Sequence, residues 1–336
     1  MMAQRRLLRC LLCALCALVL ALCAGAARAQ TCTIAPAPMV FPAVSSISGA
    51  AVNTTSELSI TCNWSGVLSP PVEICLSLGA GSGNGASTSI APRQLRDGSL
   101  VVNYNIYTDA TYAAAKIWGG MGGTTPAGTA IQLTMNRPAG GNSLTQSVTI
   151  YGRLEADATL AGIVVGGTDR VFSSNFGGTM KYQFLLSGLL GCALLSQSVA
   201  IPLTVQAPVI NDCNIGVGTL AFPNAGLLTS PVRTTSSLTV RCSNNTAYSI
   251  RLNAGTYGSG MSARRMKNSS NTDTVGYEIS TTLDGASWGD GTGGTVTMGG
   301  TGNGNTATLT VYGRVPSQSG QSPGDYKDTV TATVSF

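Results

Sequence analysis

Residue types that carry out acid–base chemistry are scarce in this sequence. Histidine, the commonest general base and neutral metal ligand, is absent from all 336 residues. A Ser-His-Asp arrangement is therefore excluded. Paired carboxylates are the remaining catalytic device, and the candidate pairs are Glu155 with Asp157 and Asp284 with Asp290. Each lies among turn residues, which favours solvated loop carboxylates over a catalytic pair.

A glycine-rich run also has to be judged by its setting. Residues Gly289 to Gly294 match the GxGxxG pattern of dinucleotide-binding loops. That chemistry needs a strand before the run and a helix after it, and the sequence predicts neither. We interpret the run as a flexible turn and expect no catalytic residues, no metal and no cofactor.

Residues 1–29 have the three parts of a cleavable export signal. Arg5, Arg6 and Arg9 precede an apolar run from Leu11 to Cys23, and a small-x-small cleavage site ends at Ala29. A membrane anchor is the alternative, but about thirteen apolar residues fall short of the roughly twenty that span a bilayer. We therefore expect export, a mature chain that starts at residue 30, and no insertion into a membrane after cleavage.

Cysteine usage agrees with export. Four of the ten cysteines lie in the leader, and the mature chain keeps an even number: Cys32, Cys62, Cys75, Cys192, Cys213 and Cys242. Such a set predicts disulfides formed in an oxidising compartment, which removes the thiols as nucleophiles or zinc ligands. Without the four leader arginines the formal charge of +5 falls to about +1, so nucleic acid is not an expected partner.

The mature chain contains one unit twice. Each copy begins with a cysteine followed after nine residues by Phe-Pro, at Cys32 and at Cys213. Further matches follow in the same order: Arg93-Gln94-Leu95 with Arg264-Arg265-Met266, Tyr104-Asn105-Ile106 with Tyr277-Glu278-Ile279, Trp118-Gly119 with Trp288-Gly289, and Ile150-Tyr151-Gly152-Arg153 with Val311-Tyr312-Gly313-Arg314. We predict two homologous domains, at residues 30–207 and 208–336.

Short alternating runs separated by glycine, asparagine and aspartate turns predict strands in both copies. They are residues 57–62, 147–153, 237–242 and 306–314, and plausible hairpin turns stand at Asp97-Gly98 and Asp284-Gly285. No convincing helical stripe occurs in the mature chain. The expected fold is all-β, with two tandem immunoglobulin-like β-sandwiches.

The repeat also favours one set of disulfides among the fifteen pairings that six cysteines allow. The first two cysteines of each copy are similarly spaced, and each second cysteine ends a strand. This favours Cys32 with Cys62 and Cys213 with Cys242. Cys75 and Cys192 have no equivalents in the second copy and are left to pair with each other.

The repeated unit resembles the spore coat protein U domain, whose family includes subunits of archaic, Csu-type chaperone–usher pili. The resemblance rests on the Cys-x8-Phe-Pro start, the second cysteine about thirty residues later, the Val/Ile-Tyr-Gly-Arg strand and the closing run Ser322 to Val330. It implies sandwiches that lack one strand, and the N-terminal extension of the next subunit supplies that strand.

The two copies end differently, and the resemblance gives this difference a meaning. The second copy ends in an alternating run whose apolar face would line an open strand-accepting groove: Val330, Ala332, Val334 and Phe336. The first continues to a further alternating run, in residues 198–206, that would close it in cis: Val199, Ile201, Leu203 and Val205. Pro202 falls on the opposite face, as an edge strand tolerates. An ordinary linker strand is the alternative.

Only two residues, Gln30 and Thr31, precede Cys32 in the expected mature chain, so no donor extension is predicted. A subunit that accepts a strand without donating one would end a fibre, which resembles the two-domain tip adhesin of these pili. The resemblance implies a periplasmic chaperone, an outer-membrane usher and a major pilin as partners. It also implies transit through the periplasm, display at the cell surface, and a role in attachment and biofilm formation.

Apolar loops of the first domain are the candidate adhesive surface. Two are the glycine-bracketed run with Ile163, Val164 and Val165, and the segment with Leu185, Leu186, Leu189 and Leu190. A third is Ile117, Trp118 and Met121, although Trp118 matches Trp288 of the other copy and is expected in the core. Buried strands are the alternative reading of each.

Two other functions remain open on the sequence. A self-contained secreted coat or matrix protein of the same family would fold without a chaperone. A periplasmic enzyme would depend on the carboxylate pairs named above.

Overall fold

The computed structural model describes residues 30–65, 70–120, 128–185 and 191–336, and β-strands dominate it. The predicted export signal lies outside this range. Within the range, no helix has the length and apolar character needed to cross a membrane. The all-β, two-domain architecture expected from the sequence is confirmed.

Eleven strands form the sheet of the first domain. Their bounds are β1 Thr31–Ile34, β2 Ala37–Val40, β3 Val44–Ser45, β4 Val52–Asn63, β5 Val72–Ser77, β6 Arg93–Asp97, β7 Leu100–Tyr107, β8 Ile131–Met135, β9 Ser143–Leu154, β10 Arg170–Phe184 and β11 Gln197–Ile210. One helical turn, α1, spans Ala158–Ala161. The strand order is β1-β4-β9-β7-β6-β10-β11-β2, with β3 beside β11 and with β5 between β10 and β8.

The second domain repeats this arrangement with fewer strands. They are β12 Cys213–Val217, β13 Val232–Cys242, β14 Ala247–Leu252, β15 Arg264–Asn268, β16 Thr274–Ser280, β17 Met298–Thr301, β18 Ala307–Val315, β19 Tyr326–Lys327 and β20 Ala332–Ser335. One sheet has the order β12-β13-β18-β16-β15-β19 and the other β17-β14-β20. In the first domain the single strand β10 pairs with both β6 and β5. In the second domain two short strands take its place, and β19 pairs with β15 while β20 pairs with β14.

Side-chain alternation explains the long strands. Leu58, Ile60 and Cys62 on β4 are fully buried, and the residues between them face away from the core. Their equivalents on β13, Leu238, Val240 and Cys242, are buried in the same way. Three of the predicted strands lie within β4, β9 and β13, and the fourth, residues 306–314, begins one residue before β18. Asp97-Gly98 forms the β6–β7 turn, with Gly98 at φ 59°.

The structure contains the disulfides that the repeat favoured. Cys32 bonds to Cys62 and Cys213 to Cys242, each joining the first strand of a domain to its neighbour. The third bond joins Cys75 to Cys192.

A buried arginine on β6 and its equivalent on β15 bind the backbone of the segment that carries the equivalent tryptophan in each copy. Arg93 donates to the carbonyl oxygens of Gly79 and Trp118, and Arg264 donates to those of Asn253 and Trp288. Burial lowers the pKa of Arg93 to about 10. Because carbonyl oxygens occupy several donors of each guanidinium, the charge is accommodated inside the domain.

Candidate functional site

Strand β11 is the main difference between the two domains. It pairs antiparallel with β10 from Tyr182↔Gln197 to Arg170↔Val209, and it pairs parallel with β2 and β3 on its other side. The four residues expected on a closing strand lie here: Val199 is half-buried, and Ile201, Leu203 and Val205 are buried. The strand continues through buried Ala207 and Val209 to Ile210, three residues beyond the domain boundary expected from the sequence.

The registers of the two domains can be matched residue by residue. The indole nitrogens of Trp118 and Trp288 donate to the carbonyl oxygens of Leu76 and Ile250, which makes those two positions equivalent. Leu76 pairs with Met180, and Ile250 pairs with Val334. Counting along the strands then places Val330, Ala332, Val334 and Phe336 at the positions of Phe176, Gly178, Met180 and Tyr182.

No strand of the second domain stands where β11 stands in the first. In the first domain Phe176 and Met180 lie opposite Leu203 and Val199 on β11. Within the described residues 191–336, the strands that pair with β20 and β19 are β14 and β15, on one side only. The stretch 218–231, which corresponds to β2 and β3, forms no strand. It lacks the neighbour with which β2 and β3 pair.

The side chains around this position are correspondingly less buried. Met39 and Phe41 on the β2 side of the first domain are fully buried, whereas their equivalents Leu220 and Phe222 are half-buried. Val330, Ala332 and Val334 are also half-buried, and Phe336 is 52% exposed. We call this incomplete edge, between residues 217–228 and 328–336, the acceptor edge.

Both segments of the acceptor edge, residues 217–228 and 328–336, are hydrogen-bonded to the rest of the domain. The carboxylate of Asp328 accepts hydrogen bonds from the Tyr277 hydroxyl at 2.6 Å and from the Thr256 backbone N–H at 2.8 Å. Burial raises the pKa of Tyr277, and its hydrogen bond to Asp328 raises it further. In the other segment, the Thr234 hydroxyl donates to the Ala221 carbonyl at 2.7 Å. The edge is therefore held in place while its apolar residues stay partly exposed.

The glycine of the repeated Tyr-Gly-Arg motif leaves space for the side chains of Leu220 and Phe222. A Cβ atom at Gly313 would lie 2.8 Å from Leu220 Cδ2 and 3.0 Å from Phe222 Cζ. At Gly152 of the first domain it would meet Met39 and Phe41 in the same way. The Phe-Pro and Tyr-Gly-Arg motifs are thus two halves of one packing contact.

The structure changes the list of candidate adhesive residues. Ile163 and Val165 are 3% and 1% exposed, because alternate residues of this run face the core, so their predicted exposure is wrong. Val164, between them, is bridged to Asn244 of the second domain. Ile117 is also buried, and Trp118 is in the core as expected.

The remaining candidates lie at or beyond the limit of the described residues. Leu185 is half-buried against the Cys75–Cys192 disulfide. Leu186, Leu189, Leu190 and Met121 fall outside the described residues.

Each candidate catalytic carboxylate has a structural partner. Glu155 pairs with Arg153 at 2.6 Å, and Asp157 caps α1 by accepting from the N–H groups of Thr159 and Leu160. Asp284 pairs with Arg233 at 2.9 Å. Asp290 accepts from the Thr292 hydroxyl and N–H inside the glycine-rich turn. Among the described residues, no group of three or more histidine, cysteine, aspartate or glutamate side chains could hold a metal ion.

Sequence reasoning did not identify the contacts between the domains. The Ser45 hydroxyl donates to the Asp212 carboxylate at 2.6 Å, and the Ser46 hydroxyl donates to the Ser243 hydroxyl at 3.4 Å. The N–H of Val165 donates to the Asn244 carbonyl at 3.2 Å. Small polar residues in turns carry no periodic signal, so only the short connection between the two repeats hinted at a close junction.

Comparison with known proteins agrees with this architecture. A chain of the CsuC–CsuE chaperone–tip adhesion subunit pre-assembly complex of Acinetobacter baumannii is similar in structure. Its TM-score is 0.55 at 18% identity, over 91% of this chain and 100% of that one. The CupB6 tip adhesin of Pseudomonas aeruginosa matches more weakly, with a TM-score of 0.35 at 12% identity over 91% and 93% of the two chains. The search of curated proteins found no match.

The sequence itself matches the Spore Coat Protein U domain twice, over residues 18–163 and 200–333. These two regions carry the motifs that the repeat analysis paired, including both Phe-Pro segments and both Tyr-Gly-Arg strands. The chain therefore belongs to the Spore Coat Protein U domain family.

Proposed function

We propose that this protein is the tip adhesin of a chaperone–usher fibre and that its second domain accepts a strand from a partner subunit. The observation that carries the proposal is the acceptor edge, where the second domain lacks the strand that β11 provides in the first. Strand addition suits such an edge, because main-chain hydrogen bonds provide affinity and alternate side chains provide specificity.

The half-buried groove residues favour a partner over an empty edge. Val330, Ala332 and Val334 pack against the core of the second domain without being covered. A strand with alternating apolar residues would cover them, as β11 covers Phe176 and Met180. A periplasmic chaperone would supply this strand first and a major pilin would replace it at the usher. Three disulfides agree with passage through an oxidising compartment.

Chaperone capture tests the acceptor edge. Co-expression with the candidate periplasmic chaperone, followed by purification and sizing, should give a one-to-one complex that deletion of residues 329–336 abolishes. Val334→Asp should weaken capture strongly because it places a charge in the groove. Thr333→Asp is the matched control, since its side chain lies on the exposed face of the same strand. Undiminished capture by the deletion variant contradicts the assignment, and a stable monomer that ignores the chaperone favours the self-contained coat protein.

The first domain is the proposed binding head, and its attachment to surfaces would support biofilm formation. Strand β10 begins beside the domain junction and ends at Phe184, so Leu185 lies at the end of the first domain that is remote from the second. Replacing the four leucines of the candidate adhesive segment, residues 185–190, by serine should lower adsorption of purified protein to an apolar surface. The matched control is serine at exposed Val171 and Val40. Equal adsorption by both variants would remove this segment as the adhesive surface.

A further inference from the structure

The junction between the two domains is short and has defined contacts. Only Asn211 and Asp212 separate β11 from β12. The closing strand of the first domain therefore leads directly into the body of the second. Ser45 and Ser46, which follow β2, contact Asp212 and Ser243 of that body. Ser46 is 5% exposed as a result.

At the same positions of the second domain, no described residue of the chain makes the equivalent contact. The spacing from each first cysteine to its Phe-Pro pair is identical, so Gly226 and Leu227 correspond to Ser45 and Ser46. Hydrogen bonds support this alignment as far as Val40 and Ala221, after which the first copy is one residue longer. The matching burial of Ile47 and Leu228 places that extra residue after them. The Thr54 hydroxyl donates to the Val40 carbonyl, and the Thr234 hydroxyl donates to the Ala221 carbonyl, at equivalent positions.

Leu227 is the most exposed of the large apolar residues in the described part of the chain, at 89%. Its neighbour Leu228 packs against the core, as Ile47 does in the first domain, so the local chain direction is fixed. A fully exposed leucine gains nothing for the isolated domain, whereas burial against another protein would stabilise a complex. The position is polar in the first copy, where its contact is made inside the chain.

We propose that Gly226 and Leu227 form a docking surface for the body of the same subunit that donates a strand to the acceptor edge. This inference rests on the proposed function. Its partner is specified by the internal junction: β11 runs parallel to β2 and ends with Val209 and Ile210 beside Val44 and Ser45. A donated strand in the same direction ends beside residues 225 and 226. The folded domain of the donor subunit, which follows the donated strand, then lies against Leu227.

The internal junction also specifies the sequence of the donor. Its strand carries apolar residues at alternate positions, as Leu203, Val205, Ala207 and Val209 do, and the last of these stands four residues ahead of Cys213. The donor should show this pattern ahead of the first cysteine of its own domain. Where Ser243 meets Ser46 in this chain, the donor should present an apolar residue to Leu227.

Photo-crosslinking of the full chain in fibre-assembling cells tests the docking surface separately from the acceptor edge. One variant carries p-benzoylphenylalanine in place of Phe336, which reports on the donated strand. A second carries it in place of Leu227. A third carries it in place of Leu283, a control that is 63% exposed in the loop after β16.

Support for docking is a crosslink from positions 336 and 227 to the same subunit, with position 227 reaching its folded domain and position 283 giving none. A crosslink from 336 without one from 227, or an equal yield from 283, overturns the docking surface and leaves the acceptor edge intact. No crosslink from either 336 or 227 overturns both. Leu227→Asp should also weaken the adhesin–donor complex roughly tenfold relative to Leu283→Asp.

Discussion

The unequal burial of the two domains predicts unequal losses of stability from two alanine substitutions in the free protein. Leu203 on β11 is 2% exposed and lies opposite Phe176. Val330 occupies the position equivalent to Phe176 and is only half-buried. Leu203→Ala removes a fully packed side chain and leaves a cavity, which costs about 3 kcal/mol of unfolding free energy. Val330→Ala removes two half-covered methyl groups and costs less than about 1 kcal/mol.

A strand bound at the acceptor edge should change the cost of Val330→Ala and leave the cost of Leu203→Ala unchanged. A bound strand buries Val330, so its truncation then approaches the cost of a buried valine, about 2 kcal/mol. The added cost of about 1 kcal/mol corresponds to roughly a fivefold loss of affinity for the strand donor. Leu203→Ala should leave that affinity unchanged, because β11 belongs to the other domain.

Domain-specific unfolding measures these quantities. Urea denaturation followed by hydrogen exchange and mass spectrometry distinguishes peptides from β4 and β9 from those of β13 and β18, which is necessary in a two-domain chain. Gln206→Ala, on the exposed face of β11, is the control for a substitution in this strand that removes no buried side chain. The reasoning is refuted if Val330→Ala destabilises the free chain as much as Leu203→Ala does, because the acceptor edge would then already be covered.

Other contacts lead to shorter predictions. Gly313→Ala forces a Cβ atom against the Phe-Pro segment and should destabilise the second domain by about 1–3 kcal/mol in the same urea assay. Arg264→Lys should cost at least about 2 kcal/mol, since an ammonium group cannot reproduce the forked contacts with backbone carbonyls. Replacing Cys75 and Cys192 with serine opens a loop with a sequence separation of 117 and should destabilise the first domain alone, by about 4 kcal/mol. The pKa of Tyr277 is raised in the folded protein, so this hydroxyl ionises at a lower pH in the unfolded chain than in the folded one. The urea midpoint of the second domain should therefore fall as the pH rises above about 10, and it should fall less steeply in Tyr277→Phe.

Strand periodicity explains why much of the architecture could be predicted from the sequence. Alternation at Leu58, Ile60 and Cys62 reveals the face that β4 buries, and the repeat transfers that assignment to β13. The same signal located β11 through Val199 to Val205. The strand extends beyond the predicted residue 206 to Ile210. Pro208 is tolerated there because it stands between the pairings with β2 and β3, where its missing N–H is not needed by either strand.

Loop residues were harder to assign, because an apolar run bracketed by glycines has the same composition whether it is buried or exposed. Ile163 and Val165 enter the core only because α1 and the junction with Asn244 set the direction of the chain between them. Leu227 shows the converse limit. Nothing in its local sequence distinguishes it from half-buried Leu228, and its exposure shows only that no described residue of this chain covers it.

The difference in burial between the two domains also bears on the order of folding and assembly. Among the described residues, the strands that cover the core of the first domain belong to that domain, so it can reach its final burial within one chain. The second shares the same packing motifs but keeps more of its apolar side chains half-buried than buried. In the proposed function, a strand from another subunit buries these side chains and adds to the stability of the domain, since burial is the main favourable term in folding. On this proposal the first domain is complete before the second is attached to a fibre, and loss of the partner strand should loosen the second domain without unfolding the first.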